Sequence, residues 1–230
     1  MMLPWSETFL SIQGEGPRAG RVCAFIRLGG CNLSCSWCDT PYTWDASRYD
    51  LRAELSAKTV QAIVAELPEC DEVVITGGEP LIHQKNPAWS ELLRLLSGRG
   101  IFICVETNGT IAPSESSQTF VGHFSISPKL PSAGPHRKGQ NAAMARWPQS
   151  LKYRNTCLKI VVADAAEVQA AAALADEYGW PRWLTWVMPV GVTKEGLLKN
   201  FEQICDAAIS CKVNVSQRLH VLAYGDRRGT

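Results

Sequence analysis

Short apolar, β-rich runs alternate along the chain with longer stretches of helical periodicity. Residues 22–28, 73–76, 101–106, 123–127, 158–162, 184–188 and 218–223 predict strands, and 57–67, 89–97, 165–178 and 193–209 predict helices. This alternation predicts an α/β fold, its sheet parallel, covered by helices and joined by right-handed crossovers. Polar residues are spread unevenly over the strands. Gly77-Gly78-Glu79-Pro80, Glu106-Thr107-Asn108-Gly109, Ser127-Pro128-Lys129 and Met188-Pro189 each stand at a strand's C-terminal end, the edge where open parallel sheets and βα barrels build their sites. The strands are too few for a closed eightfold barrel. The expected architecture is a partial, laterally open βα barrel of about six core parallel strands, with a doubly wound sheet as second choice. A single domain over 1–230 is expected, interrupted by an irregular Pro-, Gly- and base-rich loop at about 128–154 of the kind that serves as a lid or binding loop.

Composition adds mainly exclusions. The 230 residues are 46% hydrophobic and 20% charged, which is ample for a core, and 23 Lys+Arg against 22 Asp+Glu leave a formal charge of +1. That balance gives no general nucleic-acid footprint. No apolar run reaches membrane-spanning length, and Glu7 interrupts the position of a signal peptide. A soluble, cytoplasmic protein is expected, with no membrane or nucleic-acid partner. Nine cysteines is an odd count for a disulfide framework, and Cys31, Cys35 and Cys38 crowd into one short loop after Arg27-Leu28-Gly29-Gly30. Clustered cytosolic thiols point to a metal or redox site. The other six, Cys23, Cys70, Cys104, Cys157, Cys205 and Cys211, read as small buried hydrophobes. Three thiolates fit three corners of a [4Fe–4S] cluster whose fourth iron stays open, or a zinc site completed by His83, His123, His136 or His220; spacing alone leaves both open.

The residues around the cysteines change that balance. Cys31-Asn32-Leu33-Ser34-Cys35-Ser36-Trp37-Cys38, with an aromatic before the last cysteine, resembles the signature of radical S-adenosylmethionine enzymes, and Gly77-Gly78-Glu79-Pro80 resembles their second motif. A narrower resemblance covers nearly the whole chain: residues 9–17 (Phe-Leu-Ser-Ile-Gln-Gly-Glu-Gly-Pro), Gly20-Arg21, Phe25-Ile26-Arg27-Leu28 and Cys38-Asp39-Thr40 are similar to the 7-carboxy-7-deazaguanine synthase family. That resemblance implies a lyase of deazapurine (queuosine) biosynthesis, which contracts the ring of 6-carboxy-5,6,7,8-tetrahydropterin with loss of ammonia. It further implies a 5′-deoxyadenosyl radical that takes hydrogen from the ring carbon bearing the carboxylate and later receives it back. Its cofactors would be a [4Fe–4S] cluster, S-adenosylmethionine and Mg²⁺. Its partners would be the small-molecule pterin, an electron donor such as flavodoxin or ferredoxin, and a second copy in a homodimer.

Residue by residue, the resemblance implies cluster ligation by Cys31, Cys35 and Cys38, and a Mg²⁺ contact from Thr40, whose alternative is a cap on the turn before Pro41. S-adenosylmethionine would touch Trp37, Cys38, Asp39 and Gly78, together with Ser127, Pro128 and Lys129. Glu106 and Asn108 are candidate ribose contacts, with Asn108-Gly109 reading equally as a turn. Ile12, Gln13, Gly14, Arg27, Thr76 and His220 would contact the pterin, with no catalytic side chain beyond these because the cofactor carries the radical chemistry. Arg27 has independent support, since a carboxylated planar ligand suits a fixed guanidinium at a strand end. His220 lies in the predicted last strand, where Ser216-Gln217-Arg218-Leu219-His220 only loosely matches the family's Ser-Pro-Gln-x-His, and residues 225–230 read as a solvated tail. Two other functions fit parts of the pattern: an activating enzyme that places a glycyl radical on a partner protein, and a non-enzymic zinc-binding interaction module.

Overall fold

The computed structural model describes residues 1–136, 144–152 and 156–230. Nine strands form one sheet in the order β3-β1-β2-β4-β5-β6-β7-β8-β9. They are β1 (Met2–Ile12), β2 (Val22–Leu28), β3 (Ser56–Thr59), β4 (Glu72–Gly77), β5 (Phe102–Thr107), β6 (His123–Ile126), β7 (Thr156–Val162), β8 (Thr185–Pro189) and β9 (Asn214–Val215). From β2 through β4 to β9 every neighbouring pair is parallel, whereas β1 and β3 add an antiparallel margin. The sheet stays open between its edge strands β3 and β9. It is the expected laterally open α/β architecture, extended by two antiparallel strands that the apolar pattern did not announce.

Side-chain alternation divides the sheet into two unlike faces. Ala24, Ile26 and Leu28 of β2, Val73 and Ile75 of β4, Ile103 and Val105 of β5, and Ile160 and Val162 of β7 pack in the main core with the helices. The intervening positions face the hollow of the partial barrel, and there the register aligns Arg27 with Thr76 and Glu106 with Ser125. Helices α2 (Val60–Ala65), α3 (Pro87–Gly98) and α5 (Ala165–Glu177) each begin on a side-chain cap, from Thr59, Asn86 and Asp164 in turn. Short α1 (Leu51–Glu54) and α4 (Glu115–Phe120) complete the first half. Among the described residues no helix is long and apolar enough to cross a membrane.

Three sequence expectations change. The stretch 57–67 opens as strand β3, which pairs with Met2–Trp5 before Thr59 caps α2. The stretch 193–209 is broken at Asn200 into α6 (Lys194–Leu198) and α7 (Phe201–Cys211). Residues 218–223 are not a strand but lie almost wholly in α8 (Leu219–Tyr224), closed by Gly225 at a positive φ. The alternation of Leu219, Val221 and Ala223 imitates a strand, yet Ser216 and Arg218 bind the loop after β1 and turn the chain away from the sheet edge. The irregular loop at 128–154 lies partly outside the described residues; its described parts hold two 3-10 turns.

Candidate active site

The cysteine loop leaves β2 through Gly29 and Gly30, whose N–H groups donate to Pro4 O (2.8 Å) and Thr43 O (2.7 Å). Cys31, Cys35 and Cys38 all line one cavity of about 730 Å³ at the C-terminal ends of the parallel strands, a size usual for cofactor and ligand sites of roughly 300–1,000 Å³. Leu33, Cys35 and Ala133 form a small apolar cluster, with Cys31, Trp37 and Cys38 packed against it. The sulfurs accept hydrogen bonds, from Leu33 N to Cys31 Sγ (3.4 Å) and from Trp44 Nε1 to Cys38 Sγ (3.3 Å). Burial pushes the Cys31 thiol up to about 12 and raises that of Cys35. Such thiols become thiolates when a metal supplies compensating charge. Among the described residues no His, Cys, Asp and Glu converge as a single ion requires, whereas a cubane takes its sulfurs at separate corners. His136 reaches this loop, but its Nδ1 accepts Ser34 N (3.2 Å). Three thiol donors on one loop suit an iron–sulfur cluster with one open corner.

The Gly77-Gly78-Glu79-Pro80 turn packs directly against that loop. A Cβ on Gly78 would lie 2.1 Å from Gly30 O, and one on Gly77 2.0 Å from Leu28 O. The glycines permit backbone contact that any side chain would block. Glu79 is fully buried and accepts Leu81 N (2.9 Å), Thr107 Oγ1 (2.8 Å) and Asn108 N (2.6 Å), so it ties the turn to the end of β5. Asn108 bonds Asn32 through Nδ2 (2.9 Å) and accepts Thr110 N through Oδ1 (3.0 Å), which makes it both a turn residue and a wall of the cavity.

Across the cavity stands a network of charges. Lys159, on β7, bridges Glu15 (2.6 Å) and Glu106 (2.8 Å). Arg218 bonds Glu15 (2.8 Å), Gly191 O (2.7 Å) and Asp39. Burial would raise the Glu15 carboxyl, but Lys159 and Arg218 outweigh it and hold Glu15 well below the usual range. Glu106 also accepts Gln13 Nε2 (3.3 Å) and Thr76 Oγ1 (2.9 Å). The loop after β1 is locked in place by Gly16 N donating to Ser216 Oγ (3.0 Å) and Leu219 N to Gly14 O (2.9 Å). A Cβ on Gly14 would strike His220 at 1.9 Å. Arg27 donates through Nε to Glu7 (2.7 Å) and lies over the Phe9 ring.

Ile12, Gln13, Gly14, Arg27, Thr76 and His220 line the same cavity as the three cysteines, and so do Trp37, Asp39, Thr40 and Gly78. Glu106, Asn108, Ser127 and Lys129 join them, while the buried Pro128 does not line it. Thr40 precedes the turn Pro41–Thr43 without capping it; its hydroxyl lies 3.8 Å from Cys38 Sγ. His220 stands on α8 and not on a strand. Residues 225–230 are no free tail, for they line the cavity mouth. Cys104 and Cys157 also depart from the reading as plain hydrophobes: Cys104 donates to Glu72 (3.3 Å), and Cys157 lies 3.7 Å from His123.

Sequence reading did not single out Glu7, Glu15, Tyr42, Lys159, Arg218 and Arg228, whose hydrogen bonds and ion pairs border the cavity. Lys159 carried a signal, being a lone charge within the apolar run Leu158–Val162 of a parallel strand. Glu15 and Arg218 stood inside stretches quoted for the resemblance, while Glu7, Tyr42 and Arg228 carried no local signal because only folding brings them together.

The Radical SAM superfamily matches residues 25–118. The chain is 34% identical over 226 residues to the 7-carboxy-7-deazaguanine synthase of Pyrobaculum aerophilum, covering 97% of this chain and 95% of that one. It is also 34% identical to that of Hyperthermus butylicus, over 94% of this chain and 90% of the relative. The crystal structure of QueE from Escherichia coli superposes with a TM-score of 0.70 at 26% identity, covering 96% of this chain and 95% of that one. Neither the glycyl-radical-activating reading nor the zinc module is favoured by these likenesses. Full-length similarity, an open parallel sheet and a cysteine loop facing a strand-end cavity agree: the chain belongs to the 7-carboxy-7-deazaguanine synthase family of radical S-adenosylmethionine lyases.

Proposed function

We propose that this chain converts 6-carboxy-5,6,7,8-tetrahydropterin to 7-carboxy-7-deazaguanine with release of ammonia. The observation that carries the substrate reading is Arg27, anchored through Nε at the end of β2 and facing the same cavity as Cys31, Cys35 and Cys38. A guanidinium so fixed offers a two-pronged contact to a carboxylate on a planar ring. Gln13, Gly14, Ile12, Thr76 and His220 would hold the pterin beside it. Trp37, Asp39, Gly78, Ser127 and Lys129 would hold S-adenosylmethionine, with the three cysteines binding the [4Fe–4S] cluster. When bound, cluster and cofactor supply the hydrogen-abstracting radical. The protein's part is to exclude water and fix the distance between reacting atoms. Glu106 shares hydrogen bonds with Gln13 and Thr76, and thus borders the pterin region as well as any ribose contact.

Thr40 would ligate Mg²⁺, a hard cation that takes few protein oxygens and keeps waters. Its hydroxyl is not spent on a cap and lies beside Cys38 Sγ, at the cluster loop, which supports this reading. A single domain, a homodimer in the cytoplasm and a flavodoxin- or ferredoxin-type donor belong to the same proposal and rest on family membership. The test is anaerobic incubation of reconstituted protein with dithionite as electron source, S-adenosylmethionine and the carboxylated tetrahydropterin, followed by mass analysis. Deazaguanine should form, and its rate should rise with Mg²⁺ in wild type but little in Thr40→Ala. Cleavage of S-adenosylmethionine that leaves the pterin intact would overturn the substrate assignment.

A further inference from the structure

The last six residues fold back onto the cavity mouth and bring Arg228 to the group that holds Arg27. Arg228 donates through Nη1 to Glu54 (2.6 Å), through Nε to Glu7 (3.1 Å) and through Nη2 to Ser6 Oγ (3.3 Å). Its guanidinium lies 4.1 Å from the centre of the Tyr42 ring. Glu7 is the hub: Oε1 accepts Arg27 Nε (2.7 Å) and Tyr42 OH (2.9 Å), and Oε2 takes Arg228. Burial raises Tyr42 beyond its ordinary range, so its phenol stays a donor to that carboxylate. Among the described residues the Arg27 guanidinium makes no hydrogen bond except through Nε, which leaves its two terminal nitrogens for a ligand.

Counting charge across the group gives a second reason to single out Arg228. Arg27 and Arg228 balance Glu7 and Glu54, whereas without Arg228 the group is net negative just where an anionic substituent must approach. We infer that Glu7 and Arg228 are positioning residues for carboxylate recognition. Glu7 fixes which edge of the Arg27 guanidinium faces the cavity, and Arg228, delivered by the C-terminal segment, neutralises Glu7 so that the charge of Arg27 remains for the ligand. The inference rests on the proposed pterin site and makes recognition of the carboxylate depend on residues 225–230.

The test titrates reconstituted full-length protein with 6-carboxypterin and with pterin lacking the carboxylate, read by fluorescence. Arg228→Ala should weaken 6-carboxypterin roughly three- to tenfold and leave unsubstituted pterin unchanged, the loss shrinking with added salt because Arg228 is partly exposed. Arg228→Lys should restore part of the loss. Equal weakening of both pterins would show a mere steric cover and overturn the inference, as would no change. Glu54→Gln gives a check with Arg228 retained: 6-carboxypterin should bind more tightly, and unchanged or weaker binding overturns the charge argument. If wild type itself does not prefer 6-carboxypterin over pterin, the substrate reading of Arg27 fails first and the inference falls with it.

Discussion

One buried glutamate opens strand β4 and another stands in the turn that follows it, and the two ends of the barrel hollow treat them in opposite ways. Glu72, at the floor, is bound by Arg18 (2.5 and 2.8 Å) and Arg21 (2.8 Å), with the Cys104 thiol donating as well. Burial alone would raise it, but these donors outweigh burial and bring it to about 2. Glu79, at the mouth, accepts hydrogen bonds from the neutral groups of Leu81, Thr107 and Asn108; these and the nearby charge of Lys129 pull it down, but burial outweighs them and leaves it raised to about 6. Like residues thus do unlike work. At the floor, charge is matched by charge and the ladder is closed. At the mouth, Glu79 spends itself on backbone geometry, and the neighbouring sulfurs and Arg27 are left for ligands.

The largest effect that tests this contrast should come from cysteines at the two ends. Cys35→Ala should lose normal iron content and all cleavage of S-adenosylmethionine, while Cys104→Ala, at the floor, and Cys70→Ala, outside the cavity, should keep both. Iron and sulfide analysis after anaerobic reconstitution reads it directly. Unaltered iron in Cys35→Ala would end the cluster assignment, and loss in Cys104→Ala would erase the division between floor and mouth. Next comes Glu79→Ala. It strands the buried N–H groups of Leu81 and Asn108 and the Thr107 hydroxyl, at roughly 2–4 kcal/mol for the set. Urea unfolding should show that loss, and S-adenosylmethionine should bind weakly because Gly78 no longer sits against Gly30. A destabilised variant that binds the cofactor normally would separate the turn from the site.

How much of this was legible depended on whether the cause was local. Spacing and glycines exposed the cysteine loop and the Gly77-Gly78-Glu79-Pro80 turn, since both are built by residues adjacent in sequence. Polar residues at strand ends located the cavity because a parallel sheet always presents that edge. Strand β3 was hidden because its four residues pair only with distant Met2–Trp5, and α8 was misread because its alternation fits either period over so short a run. The ionic network was hidden for the same reason: Lys159, Glu15, Glu106 and Arg218 come from four separated segments, and Arg228 reaches Glu7 across almost the whole chain. An isolated charge in an apolar strand is the sequence mark of such a network, and Lys159 bore it.

The smallest effect sharpens the floor half of the comparison through pH. Glu72 is lowered from an ordinary 4.5 to about 2, so the unfolded chain takes up its proton before the folded one does. The stabilisation is therefore fully present above about pH 4.5 and is lost as pH falls toward about 2. A full shift of this size would correspond to about 3 kcal/mol. Arg21 is more than half exposed, so solvent screens part of it and about 2 kcal/mol is the better expectation. Glu72→Gln keeps the shape but removes the charge, leaving Arg18 with a neutral partner. The gap in urea midpoint between wild type and Glu72→Gln should be widest near neutrality and narrow steadily below pH 4.5. Both proteins share every other acid effect, including that on the cysteine loop, so the difference isolates this carboxylate. A gap that stays constant with pH would mean that Glu72 stabilises the floor by packing and hydrogen bonding alone, and that the two ends of the hollow differ in geometry and not in charge.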